Sequence, residues 1–367
     1  MSIIYAILVF GLIVFLHELG HFTAAKLSGV TVESFSIGMG PALLKKRVGE
    51  TVYAIRLLPI GGAVMMKGEN DDAQEAMVTG SLDAALAKDD PSVDRDRGSF
   101  QKAKLWQRFC IIIAGSFMNF VSAILILIIL FLPASSIRST RVDSFFDGFS
   151  AQGEHMMQPG DRIVRINDYH AFIYGDIITA LELGRGNPYD ITVERNGKKI
   201  KLEGLVFDKT MTDGTSDQRY FGIRFGVQSV SPIGRVGYAL QNSMSFLQSA
   251  FNSIKMLIAG QVKSQDMMGA VGITAVISER AKTSMADMWY TVAFLSVNLA
   301  FVNMLPIPAL DGGKTVFLLL ELLRGRPVDP KYEGAVQVVG LVIILGLFLF
   351  VTYNDISKLI TGTFYGS

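Results

Sequence analysis

Hydrophobic positions in this chain gather into long runs separated by polar stretches. Ile3 to Leu16 carries no charge, and the apolar character continues to about Leu27. Comparable runs cover about Leu105–Leu132, Met288–Leu305 and Gly334–Tyr353. A helix needs about 20 predominantly apolar residues to cross a bilayer, so the pattern predicts four membrane spans. The third is the shortest and is interrupted by Asn298 and Asn303. The first lacks a basic leader and a small-residue cleavage site, and reads as a retained span. Gly234–Gly260 mixes Phe, Leu and Met with Gln, Asn and Ser. That pattern predicts an amphipathic helix, on the membrane surface, against the bundle or in a soluble domain.

Shorter periodicities lie between the spans. Thr51–Lys67 reads as two short apolar strands joined at Pro59-Ile60-Gly61-Gly62, a β-hairpin buried against the membrane helices. Asp71–Ser99 is polar, rich in Asp and punctuated by Gly80, Pro91 and Gly98, the signature of a loop. Residues 138–230 predict a small α+β domain. Asp161–Ile166 and Tyr189–Glu194 alternate as strands, Gly175–Gly184 has a helical period, and Asn196-Gly197 supplies a type I′ turn into Lys198–Leu202. Phe221–Val227 offers a closing strand. The expected organisation is a membrane core over 1–132, the α+β domain at 138–230, an amphipathic linker over 231–287, and a second membrane core over 288–367.

Composition supports a membrane protein. Half of the 367 residues are hydrophobic and only 18% are charged, against about 25% charged in soluble domains. The net charge of +1 gives no electrostatic case for nucleic acid. The single cysteine, Cys110, excludes an internal disulfide and a Cys-based zinc site. Basic residues are unevenly placed. Lys45, Lys46, Arg47, Arg56, Lys67, Lys102 and Lys104 follow the first span, and Lys314, Arg324, Arg326 and Lys331 follow the third. Both regions should face the cytoplasm, which puts both termini and the α+β domain outside.

Candidate chemistry sits inside the first span, at His17-Glu18-Leu19-Gly20-His21. Helical positions i and i+4 share a face, so both imidazoles can reach one metal ion, with Glu18 about 100° round the helix and able to act on water there. His155 and His170 fall in polar surroundings and read as surface residues. Imidazoles and a carboxylate are expensive within a bilayer and mark a functional site there. A zinc hydrolase site usually takes three protein ligands and keeps one position open. The end of the third span, Asn303-Met304-Leu305-Pro306-Ile307-Pro308-Ala309-Leu310-Asp311-Gly312-Gly313, must leave helical geometry at its prolines. Spans one and three run in the same direction. His17 lies about 21 Å down the first and Pro306 about 22 Å down the third at 1.5 Å per residue. The agreement in depth makes Asp311 the expected third ligand, against the alternative of a helix N-cap. A zinc ion held by His17, His21 and Asp311, with Glu18 as general base and then acid, is suited to amide hydrolysis. The substrate expected at that depth is another protein's membrane helix, unwound and paired as an added strand on the hairpin. Asn119 and Asn303 are polar in apolar surroundings, able to contact substrate or neighbouring helices.

Five segments carry a family resemblance: HELGHFTAAK at 17–26, FSIGMGP at 35–41, LLPIGGAVMMKGE at 57–69, LWQRFCIIIAGSFMNF at 105–120 and NMLPIPALDGG at 303–313. Together they resemble the site-2 proteases, specifically the bacterial regulator-of-sigma-E-protease type. PGDRIVRIN at 159–167 resembles part of a PDZ domain, which that family carries on the outer side. The resemblance implies a polytopic α-helical protein of the bacterial cytoplasmic membrane, with a membrane-associated β-hairpin and an extracytoplasmic PDZ-like domain. It implies regulated intramembrane proteolysis of transmembrane substrates, such as anti-sigma factors or signal-peptide remnants. It also implies His17, His21 and Asp311 as zinc ligands, Glu18 as the catalytic residue and Asn303 as a substrate contact. Gly115-Ser116 departs from the Gly-Pro frequent in the family. The competing expectation is a membrane metal-handling or transport protein with the same ligands, which leaves Glu18 without a role.

Overall fold

The computed structural model describes residues 2–69, 98–147, 149–151, 153, 155–184, 188–207, 221–262 and 267–361. The loop expected at Asp71–Ser99 lies outside them up to residue 97. The chain divides into two units, residues 1–126 with 250–367, and residues 127–249.

The first unit holds helices α1 (Ser2–Leu27), α2 (Leu105–Phe131), α5 (Ala270–Thr283), α6 (Met285–Asn303), α7 (Asp311–Arg324) and α8 (Pro330–Thr361). Four of the described helices, α1, α2, α6 and α8, are long and apolar enough to cross a membrane. Gly20 lets α1 and α2 touch backbone to backbone, since a Cβ there would lie 2.2 Å from the Ala114 carbonyl oxygen. Small residues serve this purpose where no hydrophobic effect drives helices together. Ala6, Val9 and Ile13 of α1 pack with Ile277 of α5 and with Met288 and Val292 of α6. At the other end of α1, Ala25 joins Ile111 and Ile112 of α2 and Leu318 of α7.

Strands β1 (Val32–Val48) and β2 (Thr51–Met66) form the β element of this unit. Its pairing differs from the expected hairpin. The two halves of β2 do not pair with each other; β1 lies between them. Phe35 pairs with Val64 on one side and Tyr53 on the other, and Ser36 with Ala63 and Ala54. The outer half of β1 then pairs back from Ala42–Arg56 to Val48–Thr51, so the tight turn is at Gly49-Glu50. Gly49 has φ 61°, the left-handed region that favours glycine. The physical reason is that Val32–Ile37 supplies the strand partner that the local pattern of 51–67 could not reveal. From one edge to the other the limbs run 62–66, 32–37, 51–56, 42–48.

α6 starts on Ser284, whose hydroxyl accepts from the N–H groups of Ala286 and Asp287. It ends before Pro306 and Pro308, and the chain turns through Ala309 at φ 71°. Cβ atoms on Gly312 and Gly313 would lie 2.0 and 2.5 Å from the Leu305 and Ile307 carbonyl oxygens. The turn therefore folds tightly onto the start of α7. It is seated on α8, where the Gln337 amide oxygen accepts from the Ala309 N–H and Gly340 lies under Pro308.

The second unit contains β3 (Ser136–Phe145), β4 (Arg162–Ile166), β5 (Tyr169–His170), α3 (Tyr174–Leu183), β6 (Tyr189–Arg195), β7 (Lys198–Leu205), β8 (Ile223–Ser229) and the first part of α4 (Pro232–Ile258). The strands order β7-β6-β4-β3-β8, with β5 on β4. Asn196 and Gly197 turn at φ 52° and 76°, as the type I′ expectation requires. β3 was not legible as a strand, since SIRSTRVDSF mixes charge and apolar residues without a clean alternation. Asp161, fully buried, accepts from Arg195 at 2.7 and 2.8 Å and fixes β6 beside the turn before β4. Within this unit α4 lies on the α+β fold through polar contacts. Ser245 donates to Asp176 at 2.6 Å, Gln248 exchanges two bonds with the His170 backbone, and the hydroxyls of Tyr169 and Ser249 are 3.1 Å apart.

Candidate metal centre

His17 and His21 lie one turn apart on α1, both nearly buried, with rings 4.7 Å apart and perpendicular. Their Nε2 atoms are 3.2 Å from each other. Asp311, the first residue of α7, places Oδ2 3.3 Å from His17 Nε2 and 3.4 Å from His21 Nε2. It does not cap its helix: Leu310 holds the N-cap position, with no side-chain cap. Among the described residues, this is the cluster of side chains able to hold a metal ion.

The triangle has a specific meaning. A tetrahedral zinc ion with bonds of about 2.0–2.1 Å sets its ligand atoms about 3.3–3.4 Å apart. The three edges, 3.2, 3.3 and 3.4 Å, match that spacing. Asp311 Oδ2 is buried and has no hydrogen-bond partner. Three potential ligand atoms converging on one point are what a cation would satisfy. The residues present fit zinc.

Neighbouring elements shape this triangle. His21 Nδ1 donates to the Ile111 carbonyl at 2.8 Å, which leaves Nε2 free as a ligand. Gly115 of α2 lies against both rings; a Cβ there would be 2.2 Å from His21 Nε2 and 2.8 Å from His17 Cε1. The Gly of the Gly-Ser departure is thus kept for space, and Ser116 is buried with its hydroxyl unpaired. Glu18 is covered by β2, where a Cβ on Gly62 would lie 2.7 Å from Glu18 Cγ. Asn303 Nδ2 lies 3.3 Å from His17 Nε2, beside the triangle. α7 is tied down by Lys314–Glu69 at 2.9 Å and by a two-pronged Arg108–Glu321 pair. Sequence reasoning missed Gly62, Ile111 and the Arg108–Glu321 pair. The only signal for Gly62 and Arg108 was that they fall within the family-like segments. His155 and His170 are exposed residues of the second unit, and the metal cluster among the described residues includes neither.

Apolar spans enclosing such a triangle define a membrane-embedded metalloprotein. The model of peptidase family M50 matches residues 5–347. A candidate zinc metalloprotease of Clostridium perfringens is 32% identical over 360 residues, covering 97% of this chain and 98% of the relative. The regulator of sigma-W protease RasP of Bacillus subtilis is 29% identical, covering 98% and 99%. The zinc metalloprotease RasP of Bacillus licheniformis matches at 29% over the same shares. The chain belongs to peptidase family M50, the site-2 proteases. It is a zinc-dependent intramembrane protease, and nothing favours the metal-transport alternative.

Proposed function

We propose that His17, His21 and Asp311 hold the zinc ion and that Glu18 is the catalytic acid–base residue, in a site that cuts transmembrane segments of other membrane proteins. The observation that carries this reading is the triangle of 3.2, 3.3 and 3.4 Å edges inside apolar helices. When bound, zinc supplies Lewis acidity toward water and the scissile carbonyl. Glu18 follows His17 on the helix and takes the proton of the attacking water, then returns it to the departing amine. Asn303, whose amide donates toward the triangle, is placed to hydrogen-bond the substrate backbone there.

A substrate helix has its carbonyls bonded internally and must unwind to be cut. Limb 62–66 is at the end of the β element, with a strand partner on one side only among the described residues. An extended substrate added to that edge would run past Gly62, and so past Glu18. The exposed basic tip Lys45-Lys46-Arg47, together with Arg324 and Arg326, supports a cytoplasmic face for this side of a cytoplasmic-membrane protein. The α+β unit then lies outside as the PDZ-like domain, with the edge of β8, which has one strand partner among the described residues, available to a peptide or substrate domain. The name of the Bacillus subtilis relative, a regulator of sigma-W protease, supports anti-sigma factors as a substrate class; signal-peptide remnants are the other class that the family resemblance implies.

The test uses the full chain in detergent with a transmembrane peptide containing helix-breaking residues. Wild type should bind zinc and cut, while Glu18→Gln should bind zinc and not cut. Zinc binding without cutting of any such peptide by wild type would overturn the reading.

A further inference from the structure

His17 has a second nitrogen, and its surroundings are inconsistent as they stand. If Nε2 faces the metal, the single proton of the neutral ring must sit on Nδ1. Nδ1–H then needs an acceptor, as His21 finds in the Ile111 carbonyl. What faces His17 Nδ1 is the amide nitrogen of Asn119, 3.5 Å away. That is a donor opposite a donor. Meanwhile the Asn119 side-chain oxygen Oδ1 is buried without a partner, and the residue has no exposed surface.

The two ends of an Asn amide are nearly identical in shape, and their assignment follows from the bonds they make. A half-turn of the amide exchanges them without repacking. One end is left over in either setting, but only the turned amide makes a bond once a metal takes Nε2. We propose that Asn119 is the positioning residue of His17, its Oδ1 accepting from Nδ1–H and so holding the ring, tautomer and angle, for zinc. This rests on the zinc site proposed above.

Two further observations separate this role from the others open to a polar residue in a span. Helix–helix attachment at this point is made by the Asn119 backbone carbonyl, which accepts from Ser122 and from Ser296 of α6, both at 2.9 Å. The side chain's hydrogen-bond partner among the described residues is His17. A substrate contact is disfavoured by complete burial and by the direction of the amide, toward the ring nitrogen that points away from the triangle. The two zinc-binding histidines would then both be set by α2, His21 through backbone at Ile111 and His17 through side chain at Asn119.

Two substitutions test the proposal in the full chain in detergent. Asn119→Leu keeps the shape and removes the acceptor, while Asn119→Asp keeps an acceptor. Zinc affinity is read by chelator competition, and ligand geometry by the visible bands of the cobalt-substituted protein. Thermal unfolding of the metal-free forms checks the fold. Asn119→Leu should lose about 10- to 100-fold in zinc affinity with altered cobalt bands, and Asn119→Asp should stay within a few-fold of wild type. Retention of wild-type zinc affinity by Asn119→Leu, or an equal loss in Asn119→Asp, overturns the proposal. If Asn119→Leu does not fold, Asn119→Asp decides alone, and a tenfold loss there overturns it. Failure of wild type itself to hold zinc would instead remove the site beneath it.

Discussion

Gly62 of β2 and Glu18 of α1 are in direct contact, so close that a Cβ on the glycine would stand 2.7 Å from Glu18 Cγ. The same Cβ would meet the Ser36 carbonyl and Val14 Cγ1, both at 3.1 Å. The β element is thus part of the wall around Glu18, the proposed acid–base residue. Any residue larger than glycine must move that wall or the carboxylate.

Gly62→Ala should therefore lower kcat by about tenfold or more, with zinc content unchanged, because geometry errors of about 1 Å cost about 100-fold. Steady-state cleavage alongside metal analysis checks it. Loss of zinc instead would place the damage at the ligands.

Gly115→Ala acts on the proposed ligands, His17 and His21. A Cβ 2.2 Å from His21 Nε2 occupies ligand space. Zinc binding and cleavage should fall together, as measured by metal analysis of protein with unchanged detergent-phase folding.

Glu18→Gln and Asp311→Asn should separate chemistry from metal binding. Loss of the acid–base group should reduce cleavage by about 10²- to 10⁴-fold with zinc retained. Asp311→Asn should release zinc on mild chelation.

The Arg108–Glu321 pair joins α2 to α7 with both side chains largely buried. Glu321→Gln leaves a buried guanidinium without its counter-charge and should destabilise by about 3–5 kcal/mol. The apolar double variant Arg108→Met with Glu321→Leu should recover much of that loss. Thermal unfolding in detergent distinguishes the three forms.

Asp176, in the α+β unit, gives a pH dependence with a definite sign. Burial pushes its carboxyl above the ordinary 3.8, while the Ser245 hydroxyl and the N–H groups of Ile173 and Phe172 pull the other way. The folded state therefore holds the proton more tightly than the unfolded chain. Stability from this group is full in acid and is lost as pH rises from about 3.8 through the higher folded value. Asp176→Asn, which can keep bonds on both sides, should flatten that slope. Unfolding temperatures of both forms between pH 4 and 7 check it.

Local geometry explains what was legible without the fold. The i, i+4 spacing puts His17 and His21 on one face of any helix. Unbroken apolar runs mark spans wherever their neighbours pack, and Asn196-Gly197 demands its turn alone. Asp311 could be chosen because rise per residue and bilayer thickness convert position in two spans into depth, and the structure brings its Oδ2 within 3.4 Å of both imidazoles. Tertiary structure decided the rest. Whether 51–67 pairs with itself or with 32–37 depends on which strand competes for its hydrogen bonds, a non-local contest that periodicity does not record. Close approaches at Gly62 and Gly115, the carbonyl of Ile111 beneath His21 and the amide of Asn119 beside His17 are contacts between segments far apart in the chain. A glycine or asparagine reads the same in sequence whether it faces lipid or a metal ligand. Only the packing of α1, α2 and β2 makes these residues the walls and supports of one site.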